Sequence, residues 1–144
     1  MEGGRTMTVD VETLEKSFDL VAPQGDELMQ TFYDNLFAAA PSVRPLFADV
    51  DMERQRQALL NMLLVLRESL RDLDDIVPDL EELGARHVEY GAITEHYPVV
   101  GEVLIGAMAE IAGDAWRPEY TSAWQEAYQV VQDVMLSGAA ARVE

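Results

Sequence analysis

Apolar residues recur along this chain at intervals of three and four, nearly from end to end. That spacing matches the 3.6-residue turn of an α-helix, and no stretch alternates with period two as a half-buried strand would. The pattern predicts an all-α fold of six long helices plus a short one. The first spans about Asp10 to Ala22, with Asp10 as N-cap and Leu14, Phe18 and Val21 on one face. Pro23 and Gly25 bend the chain into a second helix, which turns Met29, Phe32, Tyr33, Leu36 and Phe37 inward and stops before Pro41. A short helical turn covers Ser42 to Phe47. Asp49, Val50 and Asp51 then lead into a long helix reaching about Arg71, with a stripe of Leu59, Met62, Leu63, Leu66 and Leu70. Asp74, Asp75 and Pro78 open the next helix, which ends at Gly91. Another runs from Pro98 to Ala112 and is closed by Gly113. Pro118 opens the last, with Trp124, Ala127, Tyr128, Val131 and Met135 inward.

The linkers are short and the chain has 144 residues, so one domain is expected. Residues 1–7 read as an extension with Met7 as an alternative start, 8–137 as the domain, and 138–144 as a tail. The net charge of −17 excludes a nucleic-acid binder, which must replace condensed counterions with positive charge. It equally excludes docking on anionic lipid. The absence of cysteine excludes disulfides, thiolate metal sites and cysteine nucleophiles. No apolar run approaches the ~18 residues of a membrane span, and the first residues lack the apolar core of a secretory signal. A cytoplasmic location is expected.

Motifs of familiar chemistry are missing. There is no G-x-x-x-x-G-K, G-x-G-x-x-G, G-x-S-x-G or H-E-x-x-H. His87-Val88-Glu89 lacks the cysteines of a zinc deaminase. Asp49, Asp51 and Glu53 lack the glycine and the final glutamate of a calcium loop. Two histidines remain. His87 continues the apolar face of Leu80 and Leu83, whereas His96 lies about half a turn away and beyond Gly91, so the two do not form a chelating pair. An imidazole on an apolar face is either a hydrogen-bonded core residue or the single ligand of a metal whose other ligands arrive with a cofactor, as in haem.

Several ordered segments bear on that choice. Thr31-Phe32-Tyr33-Asp34-Asn35-Leu36-Phe37, Pro41 to Phe47, Arg86-His87-Val88-Glu89-Tyr90-Gly91, His96-Tyr97-Pro98-Val99-Val100-Gly101 and Ala123-Trp124-Gln125-Glu126-Ala127-Tyr128 stand at characteristic separations. Over roughly residues 8 to 136 the chain resembles bacterial single-domain haemoglobins and the haem domain of flavohaemoglobins. The resemblance implies a globin fold around haem b. His87 matches the proximal iron ligand, and Phe47 the phenylalanine that packs on the haem. Tyr33 and Gln55 match the distal hydrogen-bonding pair. Leu59 and Val100 match apolar pocket residues, which with Phe32 and Phe47 would keep water out. Tyr97 matches a proximal tyrosine. The glutamate that relatives place beside it aligns with Ala139, so a backbone carbonyl is expected to orient His87 Nδ1 instead.

The resemblance implies three functions. The first is reversible O2 binding as a carrier or store, with NO and CO as further ligands. The second is nitric oxide dioxygenation with a separate reductase, because this chain carries no flavin or nicotinamide domain. The third is a gas-sensor domain. A monomer or homodimer is expected, without nucleic-acid or membrane partners.

Overall fold

Asp10 caps the first helix as expected: its carboxylate accepts from the Thr13 amide at 3.2 Å, and α1 runs Val11–Val21. The computed structural model describes residues 10–143, with side chains described through Ala140; the extension and alternative start expected at 1–7 lie outside the described residues. Five helices follow: α2 Gly25–Ala39, α3 Met52–Glu68, α4 Val77–Glu89, α5 His96–Ala112 and α6 Pro118–Val143. Short 3-10 segments occupy Ala22–Gln24, Pro41–Phe47, Leu73–Ile76 and Gly113–Ala115. No strand occurs among the described residues. No described helix is long and apolar enough to cross a membrane.

The boundaries differ from the pattern in three places. α3 stops at Glu68, where the Ser69 amide is shared between the Val65 and Leu66 carbonyls. Beyond it Leu70, Leu73 and Ile76 are buried at intervals of three, which suits the three-residue turn of the 3-10 segment that starts at Leu73. α5 begins at His96, two residues before Pro98, because a proline within the first turn forfeits no intrahelical bond. α6 continues to Val143, through positions that the pattern set apart as a tail.

Leu14, Phe18 and Val21 of α1, Leu28, Phe32 and Leu36 of α2, Leu104 and Met108 of α5, and Trp124 and Ala127 of α6 form one core. Trp124 Nε1 donates to Ser17 Oγ at 2.8 Å, and Ser17 donates to the Thr13 carbonyl at 2.7 Å, so the buried polar atoms of this junction are paired. Arg67 and Arg71 tie α3 and its exit to Asp19 and Glu15 of α1. The major interfaces are α4 on α6, α2 on α5 and α2 on α3; α3 and α4 share no extensive contact. That gap explains the uneven burial of the α3 stripe. Leu63 and Leu66 are buried, whereas Leu59 and Met62, on the same face, are only half-buried.

Candidate functional site

Two groups of side chains carry the candidate chemistry, one at the start of α3 and one at the end of α4. The first joins α2, the Pro41–Phe47 segment and the start of α3. Asp51 caps α3 by accepting from the Glu53 and Arg54 amides, which fixes the first turn and with it Gln55. Tyr33 is buried on the inward face of α2, edge-on to Phe32 at 4.8 Å and Phe47 at 5.8 Å between ring centroids. Gln55 Nε2 donates to the Tyr33 hydroxyl oxygen at 3.1 Å. The phenol therefore accepts from Gln55, and its own proton has no acceptor among the described residues. Burial pushes the Tyr33 pKa up, against a smaller opposing effect of the Gln55 bond, so the phenol stays protonated and remains a donor. Leu59 lies one turn beyond Gln55. Phe47 also packs on Phe37 at 5.4 Å, and behind it is a crevice of about 500 Å³ that Arg44, Val50 and Met52 help to line.

The second group joins α4 and α5. His87 sits in the last turns of α4, half-buried, with Nδ1 2.8 Å from the Leu83 carbonyl. A carbonyl only accepts, so Nδ1 carries the proton and Nε2 presents a lone pair. Nε2 has no partner among the described residues. Burial pushes the imidazole pKa down, more than the Leu83 bond raises it, which keeps the ring neutral and able to ligate. The expected carbonyl orienter is thus present, supplied by the helix itself. Tyr97 is buried in the first turn of α5, its ring 6.2 Å from that of His87. Its hydroxyl makes no hydrogen bond among the described residues, and burial raises its pKa. Val100, three residues on, is half-buried.

Tyr128 is an anchor that the sequence pattern recorded only as an inward residue of α6. Its hydroxyl donates to the Tyr97 carbonyl at 2.6 Å, and burial raises its pKa strongly. Gly101 makes room for it, since a Cβ there would lie 2.6 Å from the Tyr128 ring. A glycine four residues after Tyr97 was the available signal.

The globin family profile matches residues 30–135, three quarters of the chain. The chain belongs to the globin family. A flavohemoprotein of Bacillus subtilis is 29% identical over 88% of the chain and 32% of its own length, so this globin spans about a third of that relative. A bacterial globin of Campylobacter jejuni superposes with a TM-score of 0.77 at 23% identity, over 91% of this chain and 94% of that one. An engineered carbene transferase, made from a candidate nitric oxide dioxygenase of Rhodothermus marinus, gives 0.78 at 25% identity over 93% and 95%.

The residues of this globin fit a porphyrin. Among the described residues no three His, Cys, Asp or Glu side chains come together as a metal site. What the protein offers is one neutral imidazole with a free Nε2, which suits a metal that brings its other ligands with it. The half-buried flanks of Phe47, Leu59, Met62, Leu83, Val100 and Val103 are apolar, as a flat macrocycle requires.

Proposed function

We propose that this globin holds haem b through His87 and binds O2 reversibly, as an oxygen carrier or store in the cytoplasm. The observation that carries the reading is the pairing of two poised groups. A neutral His87 presents Nε2, and a buried Tyr33 has its oxygen engaged by Gln55 while its proton is left to give. With no cysteine in the chain, thioether attachment is unavailable and the macrocycle is held by ligation and packing alone. Haem supplies the iron that takes a diatomic gas. With haem in place, Tyr33 would be the donor to the polar end of such a gas, and the Gln55 bond polarises the Tyr33 hydroxyl and strengthens it as a donor. Phe32, Phe47, Leu59 and Val100 exclude water from the same space. Tyr97 packs beside His87, its ring centroid 6.2 Å away. The test is the visible spectrum of the purified protein with hemin: a Soret band that shifts on reduction and again with CO, and is lost in His87→Ala, is expected. A colourless protein, or an unaltered band in the variant, refutes the reading.

A second reading, nitric oxide dioxygenation, is favoured by the flavohemoprotein relatives and the Rhodothermus marinus neighbour. Here Tyr33 and Gln55 would orient the gas for attack by NO, giving nitrate. Each turnover then requires an electron from a reductase. Sustained NO consumption with a reductase and NADH would establish this activity; a single turnover followed by arrest would leave the carrier.

A further inference from the structure

The end of α4 carries both His87 and the carbonyl that orients it, and it is held backbone against backbone. A Cβ added at Gly84 would stand 1.9 Å from the Met135 carbonyl oxygen, and one added at Gly138 would stand 2.0 Å from that of Glu81. Both distances lie deep inside van der Waals contact, and the obstructing atoms are main chain, which cannot swing aside. The contacts are reciprocal. Gly84 follows Glu81 by three residues, and Gly138 follows Met135 by three, so the partner advances along α6 as one steps back along α4. The helices cross antiparallel, each glycine lying under a carbonyl of the other, an arrangement that suits weak Cα–H···O bonds.

This crossing bears on the imidazole through one covalent step. Gly84 directly follows Leu83, whose carbonyl accepts from His87 Nδ1, and His87 is three residues further on. Side chains do little else to fix the ring. Tyr90 and Tyr97 pack at 5.6 and 6.2 Å between centroids without a hydrogen bond to it. Position 139, where a carboxylate would stand in the resembling haemoglobins, is alanine.

We propose that Gly84 and Gly138 are positioning residues for the proximal ligand: their backbone crossing sets the depth and tilt of α4 and so the placement of His87 Nε2. The proposal rests on the haem reading, but its first test does not. In the haem-free wild-type protein the amides of Gly84 to His87 should exchange with solvent as slowly as those of the middle of α6, because the crossing is made without the cofactor. Gly138→Ala should accelerate them about tenfold or more, the effect of overpacking a contact that cannot relax. Gly106→Ala, in α5 with nothing within 4 Å of an added Cβ, should leave them unchanged. Fast exchange of these amides in the wild type, or equal behaviour of the two variants, overturns the proposal.

The second readout is the iron–histidine stretching band of the reduced, hemin-loaded protein. It should shift in Gly138→Ala and not in Gly106→Ala. In a His87→Gly background supplied with free imidazole, which is detached from α4, the Gly138→Ala shift should vanish. An unmoved band in Gly138→Ala, or a shift that persists with free imidazole, refutes the positioning role. Should Gly138→Ala fail to fold, Gly84→Ala takes its place and the wild-type exchange still decides. No hemin uptake by the wild type marks a wrong haem reading; normal uptake with an unmoved band marks a wrong positioning role.

Discussion

Replacing Tyr33 by phenylalanine removes one oxygen and leaves the ring cluster of Phe32, Phe37 and Phe47 in place, so the fold should survive. What goes is a phenol proton that no described residue accepts, together with the acceptor for Gln55 Nε2. A hydrogen bond to a ligand that carries charge is worth about 1.5–3 kcal/mol, which at about 1.4 kcal/mol per factor of ten corresponds to roughly 10- to 150-fold in affinity. Gln55 is only half-buried at the start of α3 and can turn its released Nε2 toward the ligand, so the lower part of that range, roughly 10- to 30-fold, is expected. Affinity differences within one site appear mainly in dissociation. The assay is stopped-flow displacement of O2 by excess CO from the reduced protein. Gln55→Leu should accelerate release as well, and Tyr33→Phe with Gln55→Leu should differ from the sum of the single effects, because the two groups share a bond. A Tyr33→Phe protein with a normal CO spectrum and an O2 off-rate within about twofold of wild type would remove Tyr33 from this role and break the argument from its free proton.

Other predictions concern the scaffold. Ser17→Ala leaves Trp124 Nε1 buried without an acceptor and should destabilise the fold by about 1–3 kcal/mol in urea unfolding. Tyr128→Phe frees the Tyr97 carbonyl and should cost about 1 kcal/mol, read in the same unfolding experiment, with a faster loss of haem to a scavenger globin. The Arg67 guanidinium, chiefly through its hydrogen bond, holds the Asp19 carboxylate below its ordinary pKa. Because the folded value is the lower one, the pair stabilises above the unfolded pKa of about 3.9 and is lost as pH falls through the folded value. The advantage of wild type over Asp19→Asn should thus be present at neutral pH, shrink in strongly acid solution, and stay under about 1 kcal/mol because both partners reach solvent. A difference unchanged down to pH 2 would contradict the assignment.

Much of this was legible in the order of residues. The α1, α2 and α6 faces follow directly from their periodicity; Asp10, Pro41 and Pro118 mark their boundaries, and Gly113 marks the end of α5. The short-range expectation for His87 also held: an imidazole late in a helix, with no carboxylate aligned beside it, finds the carbonyl one turn back. The end of α3 was misplaced by three residues because burial at Leu70, Leu73 and Ile76 mimics a continuing stripe while the backbone has tightened. The roles of Tyr128 and Gly101 stayed hidden, since an inward aromatic and a helical glycine state nothing about each other until α5 and α6 are packed.

What the sequence determined by itself is local: which residues turn inward, where helices start, that no thiol chemistry exists, and that a single histidine shares an apolar face. These follow from the helical repeat and from side-chain type, both properties of a short window. Tertiary structure alone decided that the Tyr33 oxygen accepts while its proton meets no acceptor among the described residues, that Gln55 reaches it across 22 positions of chain, and that Gly84 and Gly138 meet the opposite backbones. Those are relations between distant segments, and their energies exist only once the packing of the helices has brought the segments within reach.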